Sequence, residues 1–264
     1  MLDDAILYNA TAGVATVTIS RADKHNAFND KMLCALTNAF NCAKEDASVR
    51  VIILQSVGDT FSAGADLHWM KRMVNYSEAE NRADATVLAH MLNTLYHCPK
   101  PTIAKIQGAA FGGALGLIAC CDIAIATKLS KFCLSEVKLG LAPATIAPYV
   151  IEAIGVRAAK RYMQSAEVFS AATAHKLGLL TEVVSETELD EQVSTFVQLF
   201  LHNGPQAMAA TKALISHCTT HPLDEALIDH TSRLIAQLRV SPEGQEGLNA
   251  FFDKRAASWR QQEL

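Results

Sequence analysis

The chain has 264 residues, 50% of them hydrophobic and 19% charged, with a formal net charge of −4. That balance supplies a sizeable apolar core and argues against disorder. The absence of a Lys/Arg stripe argues against nucleic acid as a main partner, and no apolar run is long enough to span a bilayer. Seven Cys, with Cys120 and Cys121 adjacent and no Cys-x-x-Cys, read as buried, reduced thiols. The acidic start, Met1-Leu2-Asp3-Asp4, carries neither a signal peptide nor an Arg-rich transit segment, so a cytoplasmic protein is expected.

In chain order, residues 6–9 and 14–19, with Gly13 between them, read as a hairpin. Residues 20–28 read as a polar loop. Asn29 or Asp30 stands where it can cap a helix whose apolar face is Leu33, Leu36, Phe40 and Ala43. The run 50–57 has buried-strand composition. It leads into a first small-residue turn, Phe61-Ser62-Ala63-Gly64-Ala65-Asp66-Leu67, with Asp66 as the cap of a helix over 67–74. Ser77-x-x-Glu80 is a capping box opening a helix that runs to about His97, where Pro99 and Pro101 stop it. A strand over 102–107 leads into a second turn, Gly108-Ala109-Ala110-Phe111-Gly112-Gly113-Ala114-Leu115-Gly116, and a short helix over 113–119. Strands over 122–126 and 131–134 follow. Beyond Glu136 the pattern becomes helical, punctuated by Pro143, Gly155, Gly178 and Pro205. It is broken by one strand near 181–184 and carries a second capping box at Ser185-x-x-Glu188 and a last helix opening at Ser241-Pro242. No fixed-period repeat or low-complexity segment appears. The chain therefore reads as α/β followed by a helical tail docked on the core or on a neighbouring subunit.

The two small-residue turns share a layout: each follows a strand and opens a helix. Small residues there let backbone N–H groups approach a ligand, and the helix N-terminus favours negative charge. Two such junctions can aim two N–H groups at one oxygen and form an oxyanion hole. Ser135-Glu136 adds an acid in an apolar stretch, where burial raises a carboxyl pKa and suits it to proton transfer. Ser62 and Ser135 read as packing residues, Ser135 also as a candidate donor. The second turn lacks the Gly-x-Gly-x-x-Gly spacing of a dinucleotide site and the Gly-Lys-Ser/Thr of a P-loop. Nine His show no His-Glu-x-x-His or other metal spacing, so no metal is expected. No Gly-x-Ser-x-Gly elbow is present, which disfavours a serine hydrolase.

In this order the motifs resemble the enoyl-CoA hydratase/isomerase family, the crotonase superfamily, over nearly the whole chain. Arg21-Ala22-Asp23-Lys24-His25-Asn26-Ala27 resembles its early CoA-binding loop, and FSAGADL at 61–67 its first oxyanion motif. The second oxyanion motif is matched from Gly112-Gly113 through Cys121-Asp122. The acid segment is matched by Ser135-Glu136 with Gly140-Leu141-x-Pro143. The C-terminal signature is matched by Glu246-Gly247-Leu248-Asn249-Ala250-Phe251 with Lys254-Arg255. The resemblance implies a spiral of ββα repeats over 1–195 and a helical oligomerisation region over 196–264, assembled as a homotrimer or a dimer of trimers. It implies that Ala65 and Gly113 N–H groups hold a thioester oxygen while Glu136 moves protons. Lys24, His25, Ala27, Ala63, Gly64, Asp66, Leu67, Gly112 and Ser135 would line the CoA and substrate site. Phe251 and Lys254 would approach the adenine and 3′-phosphate, also of a neighbour's CoA. CoA comes with the substrate, and no separate cofactor is implied.

Two departures stand out. Two-acid hydratases of this family carry a second Glu three residues after the second oxyanion glycine, and this chain has Gly116 there. After Pro143, where a glycine run is common, it has Ala144-Thr145-Ile146-Ala147-Pro148-Tyr149, similar to the bacterial 3-methylglutaconyl-CoA hydratase branch of leucine and isoprenoid degradation. The implied activity is hydration of a 2-enoyl-CoA. A Δ3,Δ2-enoyl-CoA isomerase is the alternative, and a non-catalytic acyl-CoA- or RNA-binding member the more distant one. His68, Trp69, Met70, Met73, Ile146 and Tyr149 are candidates to shape an acyl pocket. His25, His68, Lys71 and Arg72 are candidates to meet a distal carboxylate.

Overall fold

Residues 4–260 are described by a computed structural model. Met1–Asp3 of the leader reading and the last four residues of the tail lie outside the described residues. The hairpin forms where the alternation predicts it: β1 (Ile6–Thr11) pairs antiparallel with β2 (Val14–Ile19) across Ala12-Gly13. α1 (Asp30–Glu45) is capped by the Asn29 side chain, which accepts from Met32 N–H, and it buries Leu33, Leu36, Phe40 and Ala43 as the spacing predicts.

From there the chain repeats a strand–strand–helix unit. β3 (Val51–Ser56), β5 (Thr102–Ile106) and β7 (Ile123–Thr127) extend the sheet begun by β1 and β2. β4 (Thr60–Ser62), β6 (Ala109–Phe111) and β8 (Lys131–Cys133) build a second sheet. β3, β5 and β7 are each followed at once by a strand of the second sheet. The chain then returns through α2 (Leu67–Met73) and α3 (Glu78–Tyr96), or through α4 (Gly113–Ala119). The β2-β3-β5-β7 and β4-β6-β8 pairings are all parallel. This is the ββα spiral. Past α5 (Ala147–Ser165), β9 (Phe169–Ser170) pairs antiparallel with β8; past α6 (Ala171–Leu177), β10 (Glu182–Val184) pairs parallel with β7.

The main apolar core lies between the sheets and the helices of the spiral. A second, smaller core forms where α7 (Leu189–Leu201) lays Val193, Val197 and Leu201 on Val51, Ile103 and Ile125 of the first sheet. The boundary expected at 195 falls inside this docked helix. The tail beyond it comprises α8 (Pro205–Thr220), α9 (Glu225–Val240) and α10 (Pro242–Phe252). α8 buries no residue, α9 only Leu227 and α10 only Ala250. α8 and α9 meet through stacked rings, His217 lying 3.9 Å from His221 and 4.0 Å from His230 between centroids. Among the described residues no helix is long and apolar enough to cross a membrane.

Several sequence expectations need correction. β4, β6 and β9 were not predicted; at two or three residues each they are too short to show a period. The polar loop at 20–28 ends in Phe28, one of the largest fully buried side chains, and holds a 3₁₀ turn, Ala22–Lys24. Ser185 is not a helix cap: its N–H and hydroxyl both donate to the Glu188 carboxylate, and α7 opens only at Leu189. The seven thiols are all free but not all buried. Cys34 and Cys42 on α1 and Cys218 on α8 are exposed, whereas Cys98, Cys120 and Cys133 are buried and Cys121 is half-buried.

Candidate active site

Parallel registry of β4, β6 and β8 brings three chain segments to one edge of the small sheet. Ser62 pairs with Ala110, Ala110 with Phe132, and Phe111 with Cys133. The residues leaving those strands, 63–65, 112–113 and 134–136, therefore emerge together at the carboxyl ends, where open parallel sheets place ligands.

Polar contacts hold the first junction. Phe28 and Ala65 form a parallel bridge: Phe28 N–H donates to Gly64 O and Asp66 N–H donates to Phe28 O, both at 2.9 Å. Such a bridge turns the Ala65 N–H away from Phe28, and among the described residues no acceptor takes it. Gly64 sits at φ 88°, and a side chain there would stand 2.7 Å from Phe111 O, so the two glycine turns touch. Asn26, wholly buried and left-handed at φ 55°, ties the loop in place. Its Nδ2 donates to Val57 O (2.7 Å) and Thr60 O (2.6 Å), and its Oδ1 accepts from Arg21 N–H (2.9 Å). Ser62 Oγ donates to Asn26 O (2.8 Å) and accepts from Gly64 N–H (3.1 Å), so Ser62 is a polar latch rather than the packing residue expected. Asp66, 4% exposed, caps α2 by accepting from His68 and Trp69 N–H groups and pairs with Arg21 at 2.8 Å. Burial works to raise its pKa, but those N–H groups and Arg21 together hold it below its ordinary value. Ala63 N–H donates to His25 O and Ala27 N–H to Lys24 O, which lays Lys24, His25 and Ala27 alongside the junction. Lys24, His25, Ala63 and Leu67 are exposed there.

The second junction rests on backbone pairing and apolar contact. Gly112, at φ 55° and ψ −127°, donates its N–H to Cys133 O at 2.8 Å. Gly113 opens α4, so its N–H has no carbonyl four residues earlier to receive it. A side chain at 113 would stand 2.7 Å from Phe28 Cζ. Phe28 therefore joins the junctions, bonded by its backbone to one and pressed by its ring on the other.

Glu136 completes the cluster from the end of β8. Its Oε1 lies 3.3 Å from where a side-chain carbon at Gly112 would be, and Ser135 Oγ lies 3.9 Å from the same point. Glu136 Oε2 is buried without a hydrogen-bond partner. Desolvation of the charged form pushes the carboxyl above its ordinary value. An orphaned carboxyl oxygen beside two unpartnered N–H donors is a pocket that can stabilise a developing oxyanion and exchange a proton next to it.

Other candidates lie elsewhere. Phe251, 77% exposed, and Lys254 belong to α10 and its end, which pack with α8 and α9 and not at the three junctions. Arg72 is paired with Asp30 at 2.6 Å, Trp69 is buried with its Nε1 donating to Asp84, and Tyr149 packs on Tyr96. Gly116 is walled in: a side chain there would stand 2.9 Å from Ile146 Cβ, closer still to its Cγ2, and 3.4 Å from Leu92 Cδ1. Sequence reasoning missed Asn26 and Phe28 as organisers. The signal available was an amide followed by two apolar residues at the end of a charged loop.

Two parallel-stranded layers wound as ββα turns, with paired glycine junctions at their carboxyl ends, define the crotonase fold. The chain belongs to the enoyl-CoA hydratase/isomerase family, whose model matches residues 9–262. It is similar to the solved structure of an enoyl-CoA hydratase from Shewanella pealeana, with 46% identity and a TM-score of 0.94 over 97% of this chain and 96% of that one. Human mitochondrial methylglutaconyl-CoA hydratase is 31% identical over 254 residues, covering 94% of this chain and 74% of that protein. A crotonyl-CoA hydratase from Syntrophomonas wolfei is 28% identical over 261 residues, covering 98% and 99%.

Proposed function

We propose that the protein is an enoyl-CoA hydratase that adds water across the 2,3 double bond of an acyl-CoA thioester. One observation carries the reading: two unpartnered N–H groups, of Ala65 and Gly113, share a sheet edge with a buried carboxyl of raised pKa, Glu136. The thioester oxygen accepts from both N–H groups. Each is worth ~3 kcal/mol against the enolate-forming barrier. Glu136 takes a proton from water as the water oxygen bonds to C3, and a proton is then delivered to C2. Lys24, His25, Ala27, Ala63, Gly64, Leu67, Gly112 and Ser135 line the path of the CoA and acyl chain, while Asp66 and Arg21 keep the first junction in shape. The acyl group is 3-methylglutaconyl, supported by the resemblance of the Pro143–Tyr149 segment and by the methylglutaconyl-CoA hydratase among the relatives.

A second reading, Δ3,Δ2-enoyl-CoA isomerase, is favoured by one observation, the apolar filling at Gly116. A single carboxylate suffices to carry a proton between C2 and C4. The test is to incubate the protein with crotonyl-CoA, 3-methylglutaconyl-CoA and a 3-enoyl-CoA and follow products by mass. Gain of one water supports hydration. Conversion of the 3-enoyl to the 2-enoyl compound at constant mass replaces it with isomerisation.

We further propose that the helical tail assembles the protein into a homotrimer or a dimer of trimers, bringing Phe251 and Lys254 to a neighbour's CoA. The support is the apolar surface left exposed at Ile215, Ile228, Ile235, Val240 and Phe252. A groove of about 970 Å³ also lies beneath α8, lined by Tyr96, Cys120, Glu152, Met208 and Lys212. Light scattering giving a monomer mass at micromolar concentration would refute this.

A further inference from the structure

We propose that Ile146 fixes this site as a one-carboxylate site and thereby decides which proton transfers it performs; the inference rests on the enoyl-CoA chemistry proposed above. Gly116 lies one helical turn after Gly113 on α4, on the same face. Side chains on a helix lean toward its N-terminus. A carboxylate at 116 would therefore lean back toward Gly113 and the oxyanion end of the site. Ile146 stands in its way. The side chain is 1% exposed, its Cβ lies 2.9 Å from the position a side-chain carbon at 116 would take, and Leu92 closes the space behind.

Ile146 is poorly able to yield. A β-branched side chain is stiff at χ1. The residue is also anchored as the cap of α5, with Val150 N–H donating to its carbonyl at 3.1 Å and Pro148 two residues on. The two departures noted in the sequence, Gly116 and the 144–149 segment, are thus one device: a glycine and the isoleucine that fills the room it leaves.

With an apolar wall on that side, Glu136 must return the proton it takes. In hydration, the water proton passes to Glu136 as the O–C3 bond forms and electrons move to the thioester oxygen; Glu136 then gives that proton to C2. In isomerisation, the C2–H bond breaks toward Glu136, the electrons move to the thioester oxygen, and the same proton forms the new C4–H bond as the double bond shifts. Neither route requires another acid.

The test compares wild type, Gly116→Glu, and Gly116→Glu/Ile146→Gly. Glycine is needed at 146 because the Ile146 Cβ is itself too close. Gly116→Glu alone is expected to lower the melting temperature by about 3–10 °C through overpacking, and the double variant to recover much of that loss. For turnover, wild type should show one ionisation in its pH profile and the double variant a second, falling limb. Under the isomerase reading, a C2-deuterated 3-enoyl-CoA passes part of its label to C4 in wild type and loses it to solvent in the double variant.

Gly116→Glu as stable as wild type, or a double variant no more stable than the single one, overturns the role of Ile146. A wild-type pH profile that already shows two limbs overturns the one-carboxylate site. If wild type turns over no enoyl-CoA, the proposed function has failed. The melting temperatures then still decide whether Ile146 is what excludes a side chain at 116.

Discussion

The two glycine junctions do the same geometric job by opposite means. The first is latched by side chains: Asn26, Ser62, Arg21 and Asp66 supply hydrogen bonds and an ion pair around a turn with Gly64 at positive φ. The second is held by backbone bonds, Gly112 N–H to Cys133 O and Leu115 N–H to Gly112 O, and is otherwise shaped by what presses on it: Phe28 on Gly113, and Ile146 and Leu92 on Gly116. A polar latch fails when a hydrogen-bonding group is deleted, because its partners are left buried and unpaired. A packed junction fails when volume is added, because its neighbours cannot withdraw. One site can therefore be broken in two chemically distinct ways.

The largest expected effect lies where the junctions meet. Glu136→Gln should lower turnover by about 10³-fold without lowering the melting temperature at neutral pH. The sign follows from the raised folded-state pKa: between the ordinary carboxyl value and that raised value the folded protein holds a proton the unfolded chain has lost. Stability due to Glu136 therefore falls as pH rises through that interval, and Gln removes the loss. Unchanged turnover would remove Glu136 from the chemistry.

Next comes the polar latch. Asn26→Ala strands Val57 O and Thr60 O and should cost about 3 kcal/mol in denaturant unfolding; a loss below about 1 kcal/mol would mean that the first junction is held by something else. The packed junction should answer to the smallest addition, Gly116→Ala costing about 1–3 kcal/mol, while Ser62→Ala, a deletion at the first junction, should cost about 1 kcal/mol. Should Gly116→Ala prove neutral, the contrast between the junctions collapses.

The smallest effect belongs to neither junction and serves as their control. Burial, then the charges of His221 and His230, hold His217 below its ordinary value. The charged groups facing the stack are Arg233, paired with Asp229, and Asp224, with Lys212 on the same helix as His217. A base depressed by folding contributes stability that is present above its unfolded value and lost as pH falls through its folded one. Protection factors in α8 and α9, exchange rates divided by their intrinsic values at each pH, should therefore fall between pH 7 and pH 5.5 while those of the junctions hold constant. An equal fall in both would tie the tail to the site.

Much of the spiral was readable because its long strands and α1 carry strong periods, and the glycine junctions because small residues cluster between a strand and a helix. β4 and β6 were not, since three residues hold no period and nothing flanking them marked a strand, whereas β8 was read at 131–134; together these three set the registry of the site. Asp66 as a cap followed from its place before a helix. Asn26 and Phe28 were hidden in a loop whose charges suggested solvent, and their importance arises from contacts with residues 57–66 that no local pattern encodes. Gly116 was legible as a departure, and its reason was not, because Ile146 is thirty residues away.

The thiols turn this architecture into something that can be timed. Cys34, Cys42 and Cys218 lie open to solvent, so an alkylating reagent should add three mass increments at once. Burial raises Cys98, Cys120, Cys121 and Cys133, leaving little thiolate and limited access. Each later increment then dates the opening of its own neighbourhood. Cys133 is the informative one, because its carbonyl receives the Gly112 N–H: the rate at which that sulfur is labelled is the rate at which the second junction comes apart.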